Sequence, residues 1–387
     1  MRKLRWGMVG GGPNSIGRTH RFAAALDGRY ELVAGVFSRD GAKNARMGAE
    51  LGISPDRLYP DFATMADAES RSPDGLDAVT ICTPNDTHAA ASIAFMERGI
   101  AVLCDKPIAN SVADALAIRD VARRTGVLFG LTHNYSAYPM VREARRLVQG
   151  GRLGPIRVVQ AEYAIGSRSR LVEATGDARF AWRVDPAIGG PSTVLGDIGT
   201  HAHHLLRTIT GLEVAALSAD LSSLVPGRTA HDNADINLRL TGGARGHFWA
   251  SMVANGAGQA LRLRVWGERA GLEWHQQMPD ELRLMSEDEP ISVLRRGDAW
   301  LAAEAKRATR TQRGQPEGYI GAFANIYNDF AEALHAGRER RPADPAATSF
   351  ATATDGVVGM AFVEAAVASS ARDGAWTAPM IPGEDGA

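Results

Sequence analysis

A short apolar run, Leu4 to Val9, breaks into Gly10-Gly11-Gly12-Pro13-Asn14-Ser15-Ile16-Gly17 and resumes with helical spacing to Leu26, which narrows the folds open to the chain. A strand that ends in glycines and opens a helix gathers the free N–H groups of the helix start, where a phosphate can be received. Glycines in such a turn let a pyrophosphate approach the main chain. The spacing departs from G-x-G-x-x-G: Gly10 and Gly12 take the first two places, Ser15 stands where the third glycine belongs, and Gly17 follows two residues later. A wider turn than usual is expected.

The alternation continues. Strand-like Glu31–Phe37 precedes helical Ala42–Leu51, Ala78–Ile81 precedes Thr87–Arg98, Ala101–Cys104 precedes Ser111–Thr125, and Val127–Leu131 follows. Short apolar runs alternating with helices predict a parallel sheet covered on both faces, with ligands at the carboxyl ends of its strands. Polar residues cluster at those ends: Ser38-Arg39, Thr83-Pro84-Asn85, Asp105-Lys106-Pro107 and Thr132-His133-Asn134-Tyr135. An acid at the second strand end would bind the adenosine ribose and repel a 2′-phosphate. Ser38 and Arg39 occupy that end and leave both NAD and NADP open; Asp40 could equally cap the next helix. Lys106, pinned by Pro107, is either a solvated lysine or an ammonium that can hydrogen-bond a hydroxyl and pass its proton.

A second stretch, Gly189 to His204, reads as a glycine-rich turn and a helix start. From about Gly196 a helical repeat places Asp197 and His201 four residues apart on one face. A carboxylate beside an imidazole makes a proton relay; the other reading is a capped helix with packed histidines.

After helical Pro139–Gln149, the turn Gly150–Pro155 marks entry into a second domain. Strand-like segments follow at Ile156–Ala164, Val214–Leu224, Asp235–Leu240, Ala244–Val253, Leu261–Trp266, Gly271–Trp274, Glu281–Met285 and Ile291–Leu294. Their alternation predicts a largely antiparallel sheet with one covered face. Trp249, Trp266 and Trp274 suit either core or interface. Helical Tyr319–His335 and Thr348–Ser370 are expected to return to the first domain, and only the residues after Pro379 look loose. In Gly166-Ser167-Arg168-Ser169-Arg170, Arg168 and Arg170 suit an anionic ligand group, or else a solvated basic loop or an intersubunit contact.

With 387 residues, more than one hydrophobic core is expected. Lysine and arginine number 43 against 44 acidic residues, which argues against nucleic acid or an anionic membrane as the main partner. No apolar run reaches the roughly 18 residues that span a bilayer, and MRKLRWGMVGGG lacks the pattern of a signal peptide. Cys82 and Cys104 show neither a disulfide framework nor metal spacing, so they read as reduced core thiols, no metal is expected, and a cytoplasmic location fits.

Together these stretches resemble the Gfo/Idh/MocA family. The resemblance is carried by VGGGPNSIGRTHR (9–21), ICTPNDTH (81–88), LCDKP (103–107), THNYSAYP (132–139), AWRVDP (181–186), GDIGTH (196–201) and YNDFAEALHAGRERRP (327–342). It implies α/β plus α+β architecture: a Rossmann dinucleotide-binding domain over 1–135, an open, mostly antiparallel substrate-binding and oligomerisation domain over 136–345, and a C-terminal helix and tail over 346–387. It implies an NAD(P)-dependent oxidoreductase, NAD favoured, acting on a secondary hydroxyl of a sugar, inositol or related polyol. Lys106 and His201 would handle the hydroxyl proton, with Asp197 binding substrate or orienting the imidazole. Gly10, Gly12, Asn14, Ser15, Ile16, Ser38, Arg39, Thr83, Asn85, His88, Asp105, Lys106, Asn134, Trp182 and Arg183 would surround the dinucleotide. Tyr135, Tyr163, Arg168, Arg170 and Arg183 would join Lys106, Asp197 and His201 around the substrate. A homodimer or homotetramer through the second sheet is implied. Two alternatives stand beside this reading. One is an NAD-dependent glycosidase working by transient oxidation, with an anionic glycoside on Arg168 and Arg170 and a second base among His133, Tyr135 and Tyr163; the other is a non-catalytic NAD(P)-binding regulator.

Overall fold

The computed structural model describes residues 2–13, 15–175, 182–347 and 350–383. Asn14, one of the expected dinucleotide contacts, lies outside the described residues. The chain divides into two compact units, Met1–Ala109 with Ala113–Asn134 and Tyr319–Gly356, and Asn110–Val112 with Tyr135–Gly318 and Val357–Ala387. The longer helices are α1 (Gly17–Leu26), α2 (Gly41–Glu50), α3 (Phe62–Arg71), α4 (His88–Met96), α5 (Val112–Thr125), α6 (Pro139–Gln149), α7 (Thr200–Thr210), α8 (Tyr319–Glu339) and α9 (Ala353–Ser370).

In the first unit β1 (Leu4–Gly10), β2 (Tyr30–Val36), β3 (Ala78–Cys82), β4 (Ala101–Cys104) and β5 (Phe129–Leu131) form a parallel sheet in the order β2-β1-β3-β4-β5. β3 and β4 are buried throughout, as a sheet covered on both faces requires. The register pairs Val36 with Val9, Val9 with Ile81, Ile81 with Cys104, and Cys104 with Leu131. All five strands therefore end in line, and the polar segment after each one leaves the sheet along a single edge. Strand order reverses at β1, the position that opens a crevice at the carboxyl ends in such sheets.

Helix α3 is absent from the sequence reading. Asp61 caps it, its Oδ1 accepting from the Thr64 N–H at 2.7 Å, and Met65 and Ala66 bury its inner face. The expected domain boundary at 345 also differs from the observed one. Helix α8 clusters with the first unit because Tyr327 completes a buried polar chain there: its hydroxyl lies 2.9 Å from His20 Nδ1 and 2.8 Å from Thr80 Oγ1, and Trp6 Nε1 donates to Thr80 Oγ1 at 2.9 Å. Tyr327 also packs edge-on against Trp6 and Tyr30. The last helix, α9, is divided between the two units. It begins at Ala353, after Ala351 has paired with Leu131, and Val357 onward clusters with the second unit, where Phe362 stacks on His203 at 4.3 Å.

The second unit is built on an eight-stranded sheet of β6 (Ile156–Ile165), β7 (Val214–Ser222), β8 (Asn233–Leu240), β9 (Arg245–Ser251), β10 (Gln259–Gly267), β11 (Gly271–His275), β12 (Glu281–Met285) and β13 (Ser292–Arg295). The order is β13-β12-β11-β10-β6-β9-β8-β7, antiparallel except where β6 meets β9. β8 alternates strictly between buried and exposed positions, the mark of one covered face. Trp274 is core: it is buried against Tyr138 at the start of α6, while Trp249 and Trp266 are half-buried. Cys82 and Cys104 are unpaired and buried in the first unit. No helix among the described residues is long and apolar enough to cross a membrane, and no group of acidic, histidine or cysteine side chains among them could hold a metal ion.

Candidate active site

The glycine turn after β1 is closed to side chains. Gly10 has φ of +84°, and a Cβ there would meet the Cys82 carbonyl oxygen at 2.5 Å. Gly17 packs on Gly11 so closely that a Cβ would lie 2.2 Å from the Gly11 Cα. Ser15, in place of the third glycine, turns its hydroxyl inward: Oγ donates to the Gly12 carbonyl at 2.7 Å and accepts from the Gly17 N–H at 3.3 Å. Ile16, at the N-cap of α1, makes no side-chain capping bond. The N-cap residue thus offers no polar side chain, and Ser15 engages only the first N–H of the helix.

At the end of β2, Ser38 Oγ accepts from the Asp40 N–H at 3.1 Å, and Asp40 Oδ1 accepts from the Lys43 N–H at 3.0 Å. Asp40 is therefore a helix cap, and that main-chain bond holds its carboxyl below the usual range. Arg39 is exposed.

The ends of β3 and β4 are tied by His88. Its ring is buried, with Nδ1 2.8 Å from the Pro107 carbonyl and Nε2 3.0 Å from the Thr83 carbonyl. Burial pushes the imidazole pKa down against the pull of the two carbonyls. The ring thus stands between the two loops, the neutral imidazole donating to one of these carbonyls. One of those loops carries Lys106, and the Lys106-Pro107 peptide is cis. Thr83 Oγ1 accepts from Thr87, and Asn85 is buried in the same loop. Asp105 accepts from Thr132 Oγ1 at 2.8 Å and lies 3.7 Å from His20 Nε2. Burial alone would raise its pKa, but His20, Lys106 and Thr132 outweigh burial and hold the carboxyl well below the usual range. At the end of β5, Asn134 is fully buried, and neither its Oδ1 nor its Nδ2 has a partner among the described residues. A buried carboxamide left in this state is costly unless a ligand completes it.

In the second unit the helix expected from Gly196 begins as a π-turn, Leu195–Gly199, before α7. Such widened turns are frequent at functional sites. Asp197 lies in it, and Arg168 Nη2 donates to its Oδ2 at 2.6 Å, a partner that the four-residue spacing does not suggest. His201 is buried, with Tyr135 edge-on at 4.8 Å and Tyr163 tilted at 6.4 Å. The Tyr135 and Tyr163 hydroxyls are 2.6 Å apart, and Tyr163 donates to Gln259 Oε1 at 2.9 Å, so the Tyr135 proton points to Tyr163. Burial pushes the Tyr135 phenol well up, with the Tyr163 and Asp197 charges adding to it. Arg168 and Arg170 do not form the expected pair: Arg168 is buried on Asp197, and Arg170 is exposed. Arg183 stacks over the Trp182 ring at 4.3 Å, and its carbonyl accepts from Thr193 at 2.7 Å. Sequence reasoning gave no role to His20, Tyr327, Arg228, Met252 or Gln259, since no local spacing links them to the groups they support; Thr132 it placed at a strand end without its partner Asp105.

Residues 4–133 match the model of an oxidoreductase family with an NAD-binding Rossmann fold, and residues 141–273 match the GFO/IDH/MocA C-terminal domain. The uncharacterized oxidoreductase YfiI of Bacillus subtilis is 33% identical over 97% of this chain and 96% of its own. The chain belongs to the GFO/IDH/MocA family. Among solved structures of similar proteins, an oxidoreductase from Sinorhizobium meliloti is 43% identical with a TM-score of 0.89, covering 97% of this chain and 99% of that one. An inositol dehydrogenase homolog from Azotobacter vinelandii, complexed with NADH and myo-inositol, is 37% identical with a TM-score of 0.89, covering 97% and 98%. As a GFO/IDH/MocA protein the chain has an NAD-binding Rossmann domain, and its residues fit the dinucleotide: tightly packed turn glycines at Gly10 and Gly17, a helix start whose N-cap residue makes no side-chain bond, and the orphaned carboxamide of Asn134 on the same edge of the sheet.

Proposed function

We propose that this protein is an NAD-dependent dehydrogenase that oxidises a secondary hydroxyl of an uncharged cyclic polyol or sugar, of which an inositol is the leading example. The observation that carries the reading is the Asp105-Lys106-Pro107 turn, standing one strand from the Thr83–Asn85 loop and two from the glycine turn on the edge where the strands end together. The Azotobacter relative complexed with NADH and myo-inositol supports the substrate class.

In this reading Gly10, Gly12, Ser15 and Ile16 would hold the pyrophosphate. Ser38 and Arg39 would flank the adenosine ribose, Asp105 the nicotinamide ribose, and Asn134 the carboxamide. NAD, when bound, supplies the hydride acceptor. Lys106 would hydrogen-bond the reacting hydroxyl and favour its alkoxide character, and His201 would take the proton. Asp197 accepts a neighbouring substrate hydroxyl, and Trp182 and Arg183 border the same region. The solvent face of the eight-stranded sheet would join copies of the chain.

The redox-glycosidase alternative called for a guanidinium pair on an anionic sugar and a free second base. Arg168 is engaged by Asp197, and the Tyr135 and Tyr163 hydroxyls run in a chain that ends on Gln259. Neither feature favours that reading.

Lys106→Ala is expected to lower turnover on the best polyol by roughly 10²–10⁴-fold while NADH binding, read by fluorescence, persists. A polyol panel assayed with NAD and NADP identifies the substrate. Unchanged turnover in Lys106→Ala, or cofactor binding without turnover on any polyol, would overturn the proposal.

A further inference from the structure

The basic run Gly166–Arg170 finds no place in the mechanism above as an anion clamp, and its surroundings assign it another role. Arg168 follows β6, and its main chain is held on both sides: its N–H donates to the Met252 carbonyl at 3.2 Å, and its carbonyl accepts from Arg228 Nη1 at 2.9 Å. Its buried guanidinium places Nη1 3.2 Å from Met252 Sδ, a weak acceptor, and Nη2 2.6 Å from Asp197 Oδ2. The carboxylate is the strong partner of this cation.

Arg228, in the connection from β7 to β8, is buried too, and every arm of its fork is used. It meets Glu173 through Nε at 2.7 Å and Nη2 at 2.9 Å, Asp232 through Nη1 at 3.1 Å, and the Arg170 carbonyl through Nη2 at 2.8 Å, besides the Arg168 carbonyl. Asp232 in turn accepts the Leu224 and Val225 N–H groups at 2.9 and 3.2 Å. A planar guanidinium satisfied in this way acts as a rigid pin on the loop that carries Arg168. Both charges of Arg228 and Glu173 are reinforced: the Glu173 carboxyl is held below its usual range by Arg228.

We propose that Arg168 is a positioning residue for Asp197, that Arg228 holds Arg168 on it through the loop, and that the resulting neutral pair selects an uncharged substrate. This rests on the reading above that Asp197 binds substrate hydroxyls. With its carboxylate fixed by one oxygen and its charge offset, Asp197 keeps one orientation. A substrate anion would find no net positive charge at this pair, because the Arg168 guanidinium is already committed to Asp197. Among the described residues, Arg168 from the loop after β6 pairs with Asp197, the Asp197 charge bears on Tyr135 from the turn before α6, and His201 follows four residues on.

The test compares Arg168→Met, Arg168→Lys, Arg228→Met, the Arg168→Met/Arg228→Met double variant and Asp197→Asn in the full chain, with NADH binding measured alongside. Arg168→Met is expected to raise KM for the polyol about tenfold with a smaller change in kcat, and to move the acid limb of kcat/KM up by about one pH unit. Arg168→Lys recovers most of the pH profile but less of KM, because it restores charge without the fork. Arg228→Met acts in the same direction, and the double variant is no worse than Arg168→Met alone. NADH binding stays as in the parent in all of them, which separates a local effect from misfolding. An Arg168→Met variant with parental KM and pH profile, beside an inactive Asp197→Asn, overturns this proposal alone. Additive losses in the double variant overturn the route through Arg168. Full turnover in Asp197→Asn removes the reading on which the proposal rests.

Discussion

Replacing Gly17 by alanine tests the glycine turn most sharply. The added Cβ would lie 2.2 Å from the Gly11 Cα and 3.0 Å from the Gly11 carbonyl carbon and oxygen. Carbon atoms in contact prefer about 3.5–4.0 Å, so turn and helix must part by more than about 1 Å. Neither side of the clash is the mobile end of a side chain. Nor can α1 simply tilt away, because three residues on, His20 is fully buried, bonded to Tyr327 and edge-on to Phe323 of α8. Overpacking of this kind costs roughly 1–3 kcal/mol, and displacing a binding group by about 1 Å can cost on the order of 10²-fold. Urea unfolding should therefore show Gly17→Ala destabilised by about 1–3 kcal/mol, and NADH titration should show affinity reduced about 10- to 100-fold. Gly28→Ala is the control. A Cβ there meets nothing within 4 Å although φ is +66°, so it costs about 1–2 kcal/mol through the backbone alone and leaves NADH affinity intact. A Gly17→Ala protein with parental NADH affinity and an unchanged unfolding midpoint would refute the claim that this contact shapes the cradle.

Two further outcomes follow from buried polar groups in the same unit. Tyr327→Phe strands His20 Nδ1 and leaves Thr80 Oγ1 with the Trp6 Nε1 bond, and should lower stability by roughly 1–3 kcal/mol in urea unfolding; an unchanged midpoint would contradict it. Burial works against the Asp77 carboxylate, but Arg2, Arg338 and the Arg5 N–H outweigh it and hold its pKa below the usual range. A depressed folded pKa contributes stability above the unfolded value of about 3.9, and that stability is lost as pH falls through the folded value. Arg338→Ala should therefore be less stable than the parent at neutral pH, with the gap closing in acid. A gap that stays constant into strong acid would exclude Asp77 as its source.

The parallel sheet, the second antiparallel sheet, the glycine turn and the Asp105-Lys106-Pro107 and Gly196–His201 motifs were legible along the chain, because each is written in neighbouring residues. Period-two and helical spacing are local, and a turn that must admit a pyrophosphate shows its glycines in order. Helix α3 could have been read from the Asp61 cap and the apolar spacing that follows it. Partnerships between residues apart in the chain emerge only on folding: Tyr327 with His20 and Thr80, His88 with the Pro107 carbonyl, Arg168 with Asp197, and Arg228 with Glu173. A guanidinium two residues from another looks like an anion site until the fold buries one of them on a carboxylate. Burial makes an unpaired charge costly, so which cation meets which anion is settled by packing, where the linear order of residues has no say.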